Sequence, residues 1–371
     1  MKLLIEKNIL LESLTNVMRA ISPKNIIPIL NGVMFDLRED GLYLTASDSD
    51  LTIRNFIPKE KIKNIAIPGK IVIQSKYLLE IIRKLPNGDI NIEVIDGLKI
   101  IISTDKTIYN LNCLDTADYP DINLEEVENP IVINSTTLKQ AFNKTLFAVS
   151  TQESRPILTG INLKINGNVM ECVATDSYRL AKKTITLDNA YDSRDIVIPG
   201  KNINELDKLI TDESDVEIHV FNNKIVFKYM NYIFQSSLLS GSYPNTNNLI
   251  PTKFEFVITT SLNDYYNAID RAALLTQNKD KNIIKMETNN TELLISSYAS
   301  EIGKSEESIL INKSNEQDIS ISFSSKYMID ALKTFEDEEL IIFLNNDSSP
   351  IILKSAKDET LIQLILPIKT Y

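Results

Sequence analysis

One pattern of apolar and polar positions occurs three times along this chain. It reads IVIQSKYLLEIIRKL at Ile71–Leu85, IVIPGKNINELDKLI at Ile196–Ile210 and ISFSSKYMIDALKTF at Ile321–Phe335, and the copies start 125 residues apart each time. Each copy begins with alternating apolar residues, which predict a strand, and continues for about ten residues at helical spacing. A period this long indicates three copies of a domain rather than a solenoid of small repeats.

The helical part of each copy places apolar residues at i, i+3 and i+7, which predicts one buried face. These residues are Leu78, Ile81, Leu85; Ile203, Leu206, Ile210; and Met328, Ala331, Phe335. Other segments repeat as well: LTASDSD at Leu44–Asp50 corresponds to CVATDSY at Cys172–Tyr178. Each unit is therefore predicted to run helix, strands, helix, strands. The fold class is α+β, with repeated domains at residues 1–122, 128–250 and 253–371.

The opposite face of the repeated helix carries a cation, an acid and a second cation in every copy. These residues are Lys76, Glu80, Arg83; Lys201, Glu205, Lys208; and Lys326, Asp330, Lys333. One interpretation is a solvated face with intrahelical ion pairs. The other is a surface that meets an anion, because the faces stay cationic in a chain of formal charge −11. The pattern leaves open whether the three acids neutralise these cations.

The chain has few residues that suggest catalysis. Its single histidine, His219, lies in an alternating strand, which favours a structural role, and no Cys or His cluster has metal-ligand spacing. Asp48 and Asp176 occupy equivalent repeat positions, so turn chemistry explains them better than metal binding. The sequence predicts a protein without catalytic residues, metal or cofactor.

Composition also bears on location. Cys113 and Cys172 fall in different repeats within apolar strands, which is typical of buried thiols in a reducing compartment. The first residues are too charged for a signal peptide, and no apolar run approaches the ~20 residues of a membrane helix. We therefore expect a cytoplasmic protein.

Two segments resemble a known family. ATDSYRLA at Ala174–Ala181 and LILPIKTY at Leu364–Tyr371, together with three repeats, resemble the bacterial sliding clamps, the beta subunits of DNA polymerase III. The resemblance implies three DNA-clamp domains per chain, with helices lining a ring and antiparallel sheets outside. It also implies a head-to-tail homodimer of six domains that encircles duplex DNA and gives the polymerase its processivity.

The resemblance assigns DNA contacts to Lys24, Gln152, Arg155 and Lys201. The repeated helix faces extend this surface, because cations attract phosphates without reading sequence. The full predicted DNA-binding set is Lys24, Lys76, Arg83, Gln152, Arg155, Lys201, Lys208, Lys326 and Lys333.

The resemblance also implies a pocket for short peptides of partner proteins. Its residues are Leu158, Thr175, Ser177, Tyr178, Arg179, Leu180, Pro244, Leu249, Leu364, Ile365, Leu366, Pro367 and Ile368. Three positions, Tyr178, Asn248 and Lys369, depart from the residues usual in the family, so the resemblance predicts the pocket but not its peptide preference.

A dimer seam between the first repeat of one chain and the third repeat of the other follows from the same resemblance. Tyr109 and Leu111 are predicted to meet Leu274 and Leu275 of the partner subunit. The implied partners are a second copy, double-stranded DNA, a clamp loader, and the replicative polymerase with other factors that carry clamp-binding peptides.

Two alternative functions remain at this point. A three-domain scaffold or adhesion protein would need no cationic bias on the repeated helices. A metal-dependent nuclease or nucleotidyl transferase would use Asp48 and Asp176 to hold the metal.

Overall fold

A computed structural model describes residues 1–22, 24–25, 27–96, 98–276 and 282–369. The chain packs as two units, one of Met1–Leu138 with Lys201–Leu238, and one of Lys139–Gly200 with the residues from Leu239 onward. No helix of the described residues is long and apolar enough to cross a membrane.

Among its described residues, the first repeat contains nine strands and two α-helices. They are β1 (Lys2–Glu6), α1 (Lys7–Val17), β2 (Gly32–Leu37), β3 (Gly41–Ser47), β4 (Leu51–Pro58), β5 (Ile62–Ile67), β6 (Gly69–Gln74), α2 (Ser75–Lys84), β7 (Asp89–Ile95), β8 (Lys99–Ser103) and β9 (Ile108–Leu114). Helix α1 packs against α2.

The second repeat contains six strands and two helices. They are β10 (Ile131–Asn134), α3 (Ser135–Leu146), β11 (Gly160–Thr175), β12 (Arg179–Pro199), α4 (Gly200–Leu209), β13 (Asp215–Val220), β14 (Lys224–Tyr229) and β15 (Tyr232–Ser237). Strands β11 and β12 form a long antiparallel hairpin.

The third repeat contains nine strands and two helices among its described residues. They are β16 (Phe256–Ser261), α5 (Leu262–Ala273), β17 (Ile283–Asn289), β18 (Glu292–Ala299), β19 (Gly303–Leu310), β20 (Asn312–Lys313), β21 (Ser320–Ser324), α6 (Ser325–Leu332), β22 (Glu339–Leu344), β23 (Ile351–Ser355) and β24 (Leu361–Ile365). Helices α5 and α6 pack together over a core that includes Tyr265, Met328 and Phe335.

Strand pairing joins consecutive repeats within each unit. In the first unit, β4 pairs with β15, so the strands of the first repeat and β10, β13, β14 and β15 form one 13-stranded sheet. In the second unit, β12 pairs with β24 within a seven-stranded sheet. Among the described strands, β5, β10, β11, β20 and β21 are sheet edges with one partner each, and two further free edges lie near the predicted seam residues. These two are β9 between residues 108 and 112, and β19, whose one partner is β18.

The structure confirms the strand-to-helix pattern in all three copies. It corrects the predicted element order at the start of each repeat and the buried face of α2. A strand precedes the first helix of every repeat, namely β1, β10 and β16. In α2 the buried residues are Leu78 and Ile82, with Leu85 behind them, whereas Ile81 is only half-buried. Residues at i+3 and i+4 both lie near the same helix face, so apolar spacing alone does not decide which of them is buried. In the other two copies the predicted residues are buried.

Asp48 and Asp176 form the same turn, as the repeat predicts. Asp48 Oδ1 accepts from the backbone N–H of Asp50 and Leu51, and Asp176 Oδ1 accepts from Tyr178 and Arg179, all within 3.1 Å. The intervening serines, Ser49 and Ser177, have φ of 77° and 78°. Both carboxylates therefore satisfy backbone donors in a left-handed turn.

The histidine and the cysteines occupy the positions predicted for them. His219 is buried on β13, and its Nδ1 accepts from the Val127 N–H at 3.0 Å, which fastens the connection between two repeats. Cys113 on β9 and Cys172 on β11 are buried free thiols. Burial raises the pKa of Cys113 to about 11, and burial with the nearby Glu171 raises that of Cys172 to about 12.

Candidate peptide pocket and nucleic-acid interface

The last described segment runs beside the hairpin of the second repeat. Arg179 is paired with Ile365 and Leu180 with Leu364 along β12 and β24. After β24 ends, the Leu366 N–H donates to the Tyr178 carbonyl at 2.9 Å, and the Ile368 N–H donates to the Ser322 carbonyl at 2.7 Å. Pro367 lies between these two bonds, where the strand has ended as predicted. The tail is therefore ordered by backbone bonds up to Ile368.

The predicted pocket residues divide into a buried floor and an exposed apolar rim. Leu180 and Leu364 pack with Val173 and Ile352, and Leu158 and Ile365 are also buried. Three large hydrophobic side chains remain open to solvent: Tyr178 at 58%, Leu249 at 49% and Leu366 at 38% exposure. Together they form an exposed apolar patch beside a buried floor.

Tyr243, which the sequence analysis did not single out, supports this region. Its Oη accepts the Thr175 N–H at 3.0 Å, and its ring packs against the floor. Burial raises the pKa of Tyr243, so the phenol stays protonated. Its neighbour Pro244 is exposed, and Ile250, next to Leu249, packs on the same floor. The signal available in the sequence was the Tyr-Pro pair in an otherwise polar stretch.

Arg179 was predicted to form part of the pocket wall. In the structure its guanidinium contacts two carboxylates and two aromatic rings of the second unit. Nε donates to Asp176 at 3.0 Å, and Nη1 donates to Asp330 of α6 at 2.7 Å. The guanidinium also lies over the rings of Tyr327, at 4.6 Å from the centroid, and Phe147, at 5.2 Å. Tyr327 in turn stacks on Tyr178. A cation held by two carboxylates and two rings is a rigid anchor.

The predicted DNA-contacting loops share one local structure. The backbone N–H of Lys24 donates to Ser22 Oγ at 3.2 Å, and that of Gln152 donates to Ser150 Oγ at 3.1 Å. Both side chains are exposed at equivalent positions after the first helix of a repeat. Arg155, also exposed, donates to Ser177 Oγ at 3.4 Å, which brings it to the turn beside Tyr178.

The cations of the repeated helices are exposed, but their partners differ. Arg83 pairs with Glu80, and Lys208 pairs with Glu205 at 2.6 Å. Lys201 pairs with Asp50 at 3.0 Å. Among the described residues, Lys76, Lys326 and Lys333 have no carboxylate partner. The acids therefore neutralise some of these cations and not others.

The predicted seam residues lie on or next to β9 and β19, which each have a free edge. Tyr109 and Leu111 are half-buried on β9, beside the exposed Ile108. Leu274 is 63% exposed directly after α5, and Leu275 is half-buried. The sequence analysis missed three further exposed apolar residues near the β19 edge, which are Tyr298, Ile302 and Leu310.

Comparison with known proteins accounts for all three repeats. Family models of the DNA polymerase III beta subunit match residues 1–124 (N-terminal domain), 132–245 (central domain) and 247–369 (C-terminal domain). The chain is 41% identical to the beta sliding clamp of Bacillus subtilis and 37% identical to that of Staphylococcus aureus, over 100% of each chain.

Solved structures agree. The crystal structure of the Bacillus subtilis DNA polymerase sliding clamp matches with a TM-score of 0.97 and 40% identity, over 100% of both chains. The beta chain of DNA polymerase III from Streptococcus pneumoniae matches with a TM-score of 0.96 and 34% identity, again over both full chains. The chain, with its three clamp domains, therefore belongs to the DNA polymerase III beta subunit family, the bacterial sliding clamps.

Proposed function

We propose that two copies of this chain form a ring that encircles duplex DNA and tethers the replicative polymerase to it. The observation that carries the proposal is the full-length correspondence of all three repeats with proteins named beta sliding clamp. The role is that of a processivity subunit without an active site, metal or cofactor of its own. Its three domains are residues 1–122, 128–250 and 253–371, and its compartment is the cytoplasm.

Strand pairing supports closure of the ring by a second copy. Two junctions between repeats are made by pairing strand edges, β4 with β15 and β12 with β24. β9 between residues 108 and 112 and β19 each have a free edge available for a third junction, and free edges readily add another strand. Exposed apolar residues such as Ile108 and Leu310 accompany these edges. The proposed seam joins β9 with Tyr109 and Leu111 to β19 and Leu274 and Leu275 of the partner subunit.

The cationic helices supply weak contact with DNA. The proposed DNA-binding residues are the loop residues Lys24, Gln152 and Arg155 and the helix residues Lys76, Arg83, Lys201, Lys208, Lys326 and Lys333. All nine are exposed on a chain of net charge −11. Attraction between scattered cations and phosphates is independent of sequence and weakened by salt. Contacts of this kind suit a ring that slides, because retention comes from topology.

The rim of Tyr178, Leu249 and Leu366 is the proposed docking site for short peptides of the polymerase, the clamp loader and repair factors. Burial of two Leu- or Phe-sized side chains gains roughly 3–6 kcal/mol. Association costs offset much of this gain, so micromolar affinity is expected. Partners can then exchange, while tethering raises the local concentration of a polymerase at the primer end.

Retention on circular DNA tests the proposal. The protein is loaded on a nicked circular plasmid with a clamp loader and ATP, and the complex is isolated by gel filtration before and after the plasmid is linearised. We expect a dimer that stays on the circle and runs off the linear DNA. A monomer on circular DNA, or equal retention on both forms, would contradict encirclement.

A further inference from the structure

The repeated helices carry the same charge pattern, and their ion pairs differ in a way that bears on the DNA-binding role proposed above. In α2 and α4 the acid pairs with the cation three residues later, Glu80 with Arg83 and Glu205 with Lys208. This is the arrangement that helical spacing favours. In two of the three copies the acid thus reaches the second cation of its own helix.

Helix α6 departs from this arrangement. Its acid, Asp330, does not pair with Lys333 but accepts from Arg179 at 2.7 Å. The side chains of Arg179 and Asp330 are 9% and 29% exposed, against 53% for both Arg83 and Glu80. Screening by water is weaker at the less exposed pair, so Arg179 competes successfully for Asp330. Within the described residues, Lys326 and Lys333 are left without a carboxylate.

The turn that provides Arg179 has the opposite effect in the first repeat. Asp50 and Leu51 there occupy the positions of Tyr178 and Arg179. Asp50 pairs with Lys201, the first cation of α4, at 3.0 Å, and Arg19 adds a second cation to Glu205 at 3.5 Å. Both cations of α4 are therefore paired. The turn of the first repeat thus pairs with a cation of α4, whereas the equivalent turn of the second repeat pairs with the acid of α6.

We propose that α6, through Lys326 and Lys333, is the helix that attracts DNA phosphates most strongly. Arg179 is the positioning residue that makes it so, because it keeps Asp330 away from both lysines. Tyr178 stacks on Tyr327, which lies against the same guanidinium, so one side-chain cluster connects the peptide rim to the phosphate-binding helix.

Matched double substitutions test whether α6 attracts DNA more strongly than α4. Lys326→Gln with Lys333→Gln is compared with Lys201→Gln with Lys208→Gln, the equivalent positions of α4. Binding of a fluorescent 30-base-pair duplex is followed by anisotropy from low to moderate salt. We expect the α6 variant to lose affinity about tenfold and to lower the salt slope by roughly 1.8, since each lost phosphate contact removes about 0.9. The α4 variant should lose less than about threefold.

Equal losses in the two variants, or a larger loss in the α4 variant, would overturn the inference while leaving the clamp function intact. Absence of duplex binding by the unaltered protein would instead reject the DNA contact itself, and the inference with it. All four substituted side chains are exposed, so folding is not at risk.

Rescue by a second substitution tests whether Arg179 acts by holding Asp330 away from the two lysines. Arg179→Gln should release Asp330 to pair with Lys333, as Glu80 pairs with Arg83, and lower duplex affinity about threefold to tenfold. Asp330→Asn added to that variant should restore affinity to within about twofold, whereas a purely structural role for Arg179 predicts no rescue. Circular dichroism checks folding. If Arg179→Gln does not fold, the single variant Asp330→Asn is compared with Glu205→Gln, the equivalent substitution in α4. Little change in the duplex affinity of Asp330→Asn supports the inference. A gain in affinity as large as that of Glu205→Gln contradicts it.

Discussion

Asp358 shows how a single carboxylate stabilises the second unit. It accepts from Lys183 Nζ at 2.7 Å and from Thr360 Oγ1 at 2.6 Å, and Lys144 Nζ lies 3.6 Å away. Burial alone would raise the pKa of Asp358. The hydrogen bonds from Lys183 and Thr360 and the two ammonium charges outweigh burial, so the pKa lies below its usual value. The ionised form is therefore favoured by folding.

Asp358→Asn should lower the free energy of unfolding by about 1–3 kcal/mol at pH 7, because it removes a charged hydrogen-bond acceptor from these donors. A depressed folded-state pKa contributes stability above the unfolded value and loses it as pH falls through the folded value. The difference from the unaltered protein should thus be full at pH 5–7 and shrink below about pH 4. Urea unfolding at several pH values measures it. The exposed Asp188→Asn is the control, and a difference independent of pH would contradict the assignment.

The two thiols should resist labelling in the folded protein. Thiolate is the reactive form, and a pKa of about 11 for Cys113 and about 12 for Cys172 leaves very little of it at pH 8. We expect a thiol reagent to label both cysteines at pH 8 in guanidinium. In buffer, labelling should be at least about 100-fold slower. Rapid labelling of either cysteine in the native protein would show that its strand opens.

At the scale of elements, the tail after β24 is expected to matter for peptide binding more than for folding. Strand β24 ends at Ile365, and beyond it the tail makes two backbone bonds, from Leu366 and Ile368. Leu366 is the exposed apolar residue that this segment adds to the rim. The tail after Ile365 therefore contributes surface more than core.

A chain truncated after Ile365 should keep its fold and lose at least about tenfold in affinity for a peptide with two adjacent bulky apolar residues, since at least one apolar contact is lost. Thermal unfolding and fluorescence titration measure the two effects. Truncation after Lys369 is the matched control and should bind normally. Unchanged affinity after removal of Leu366 and Pro367 would exclude the tail from the docking site.

The sequence predicts elements better than it predicts their contacts. Repetition was sufficient to predict the three domains, the strand-to-helix segments and the turns of Asp48 and Asp176. It did not decide between Ile81 and Ile82, because both are apolar and only packing selects one. The Arg179–Asp330 pair joins residues 151 positions apart, and local spacing instead suggested pairing within α6. Long-range pairs of this kind depend on tertiary geometry that no local pattern specifies.

At the scale of the whole molecule, self-association depends on the proposed seam. Leu274→Ala with Leu275→Ala removes apolar surface from one side of it and should yield monomers. Peptide affinity should be unchanged, because the rim and floor lie elsewhere on the chain. Sedimentation gives the mass, and fluorescence titration gives the affinity. An unchanged dimer mass would exclude these two leucines from the seam.

The free edges of β9 and β19, proposed as the two sides of the seam, belong to different strands with different side chains. Each contact between two copies therefore joins a β9 edge to a β19 edge. It leaves a free β19 edge at one end of the growing assembly and a free β9 edge at the other. Such a subunit can close on itself after a fixed number of copies or continue as an open polymer, and the angle between its ends alone decides which. In the proposed ring, closure after two copies keeps this chain from growing into a fibre. A substitution that changes that angle, at any distance from either edge, would therefore change the number of copies that close the ring or prevent closure altogether.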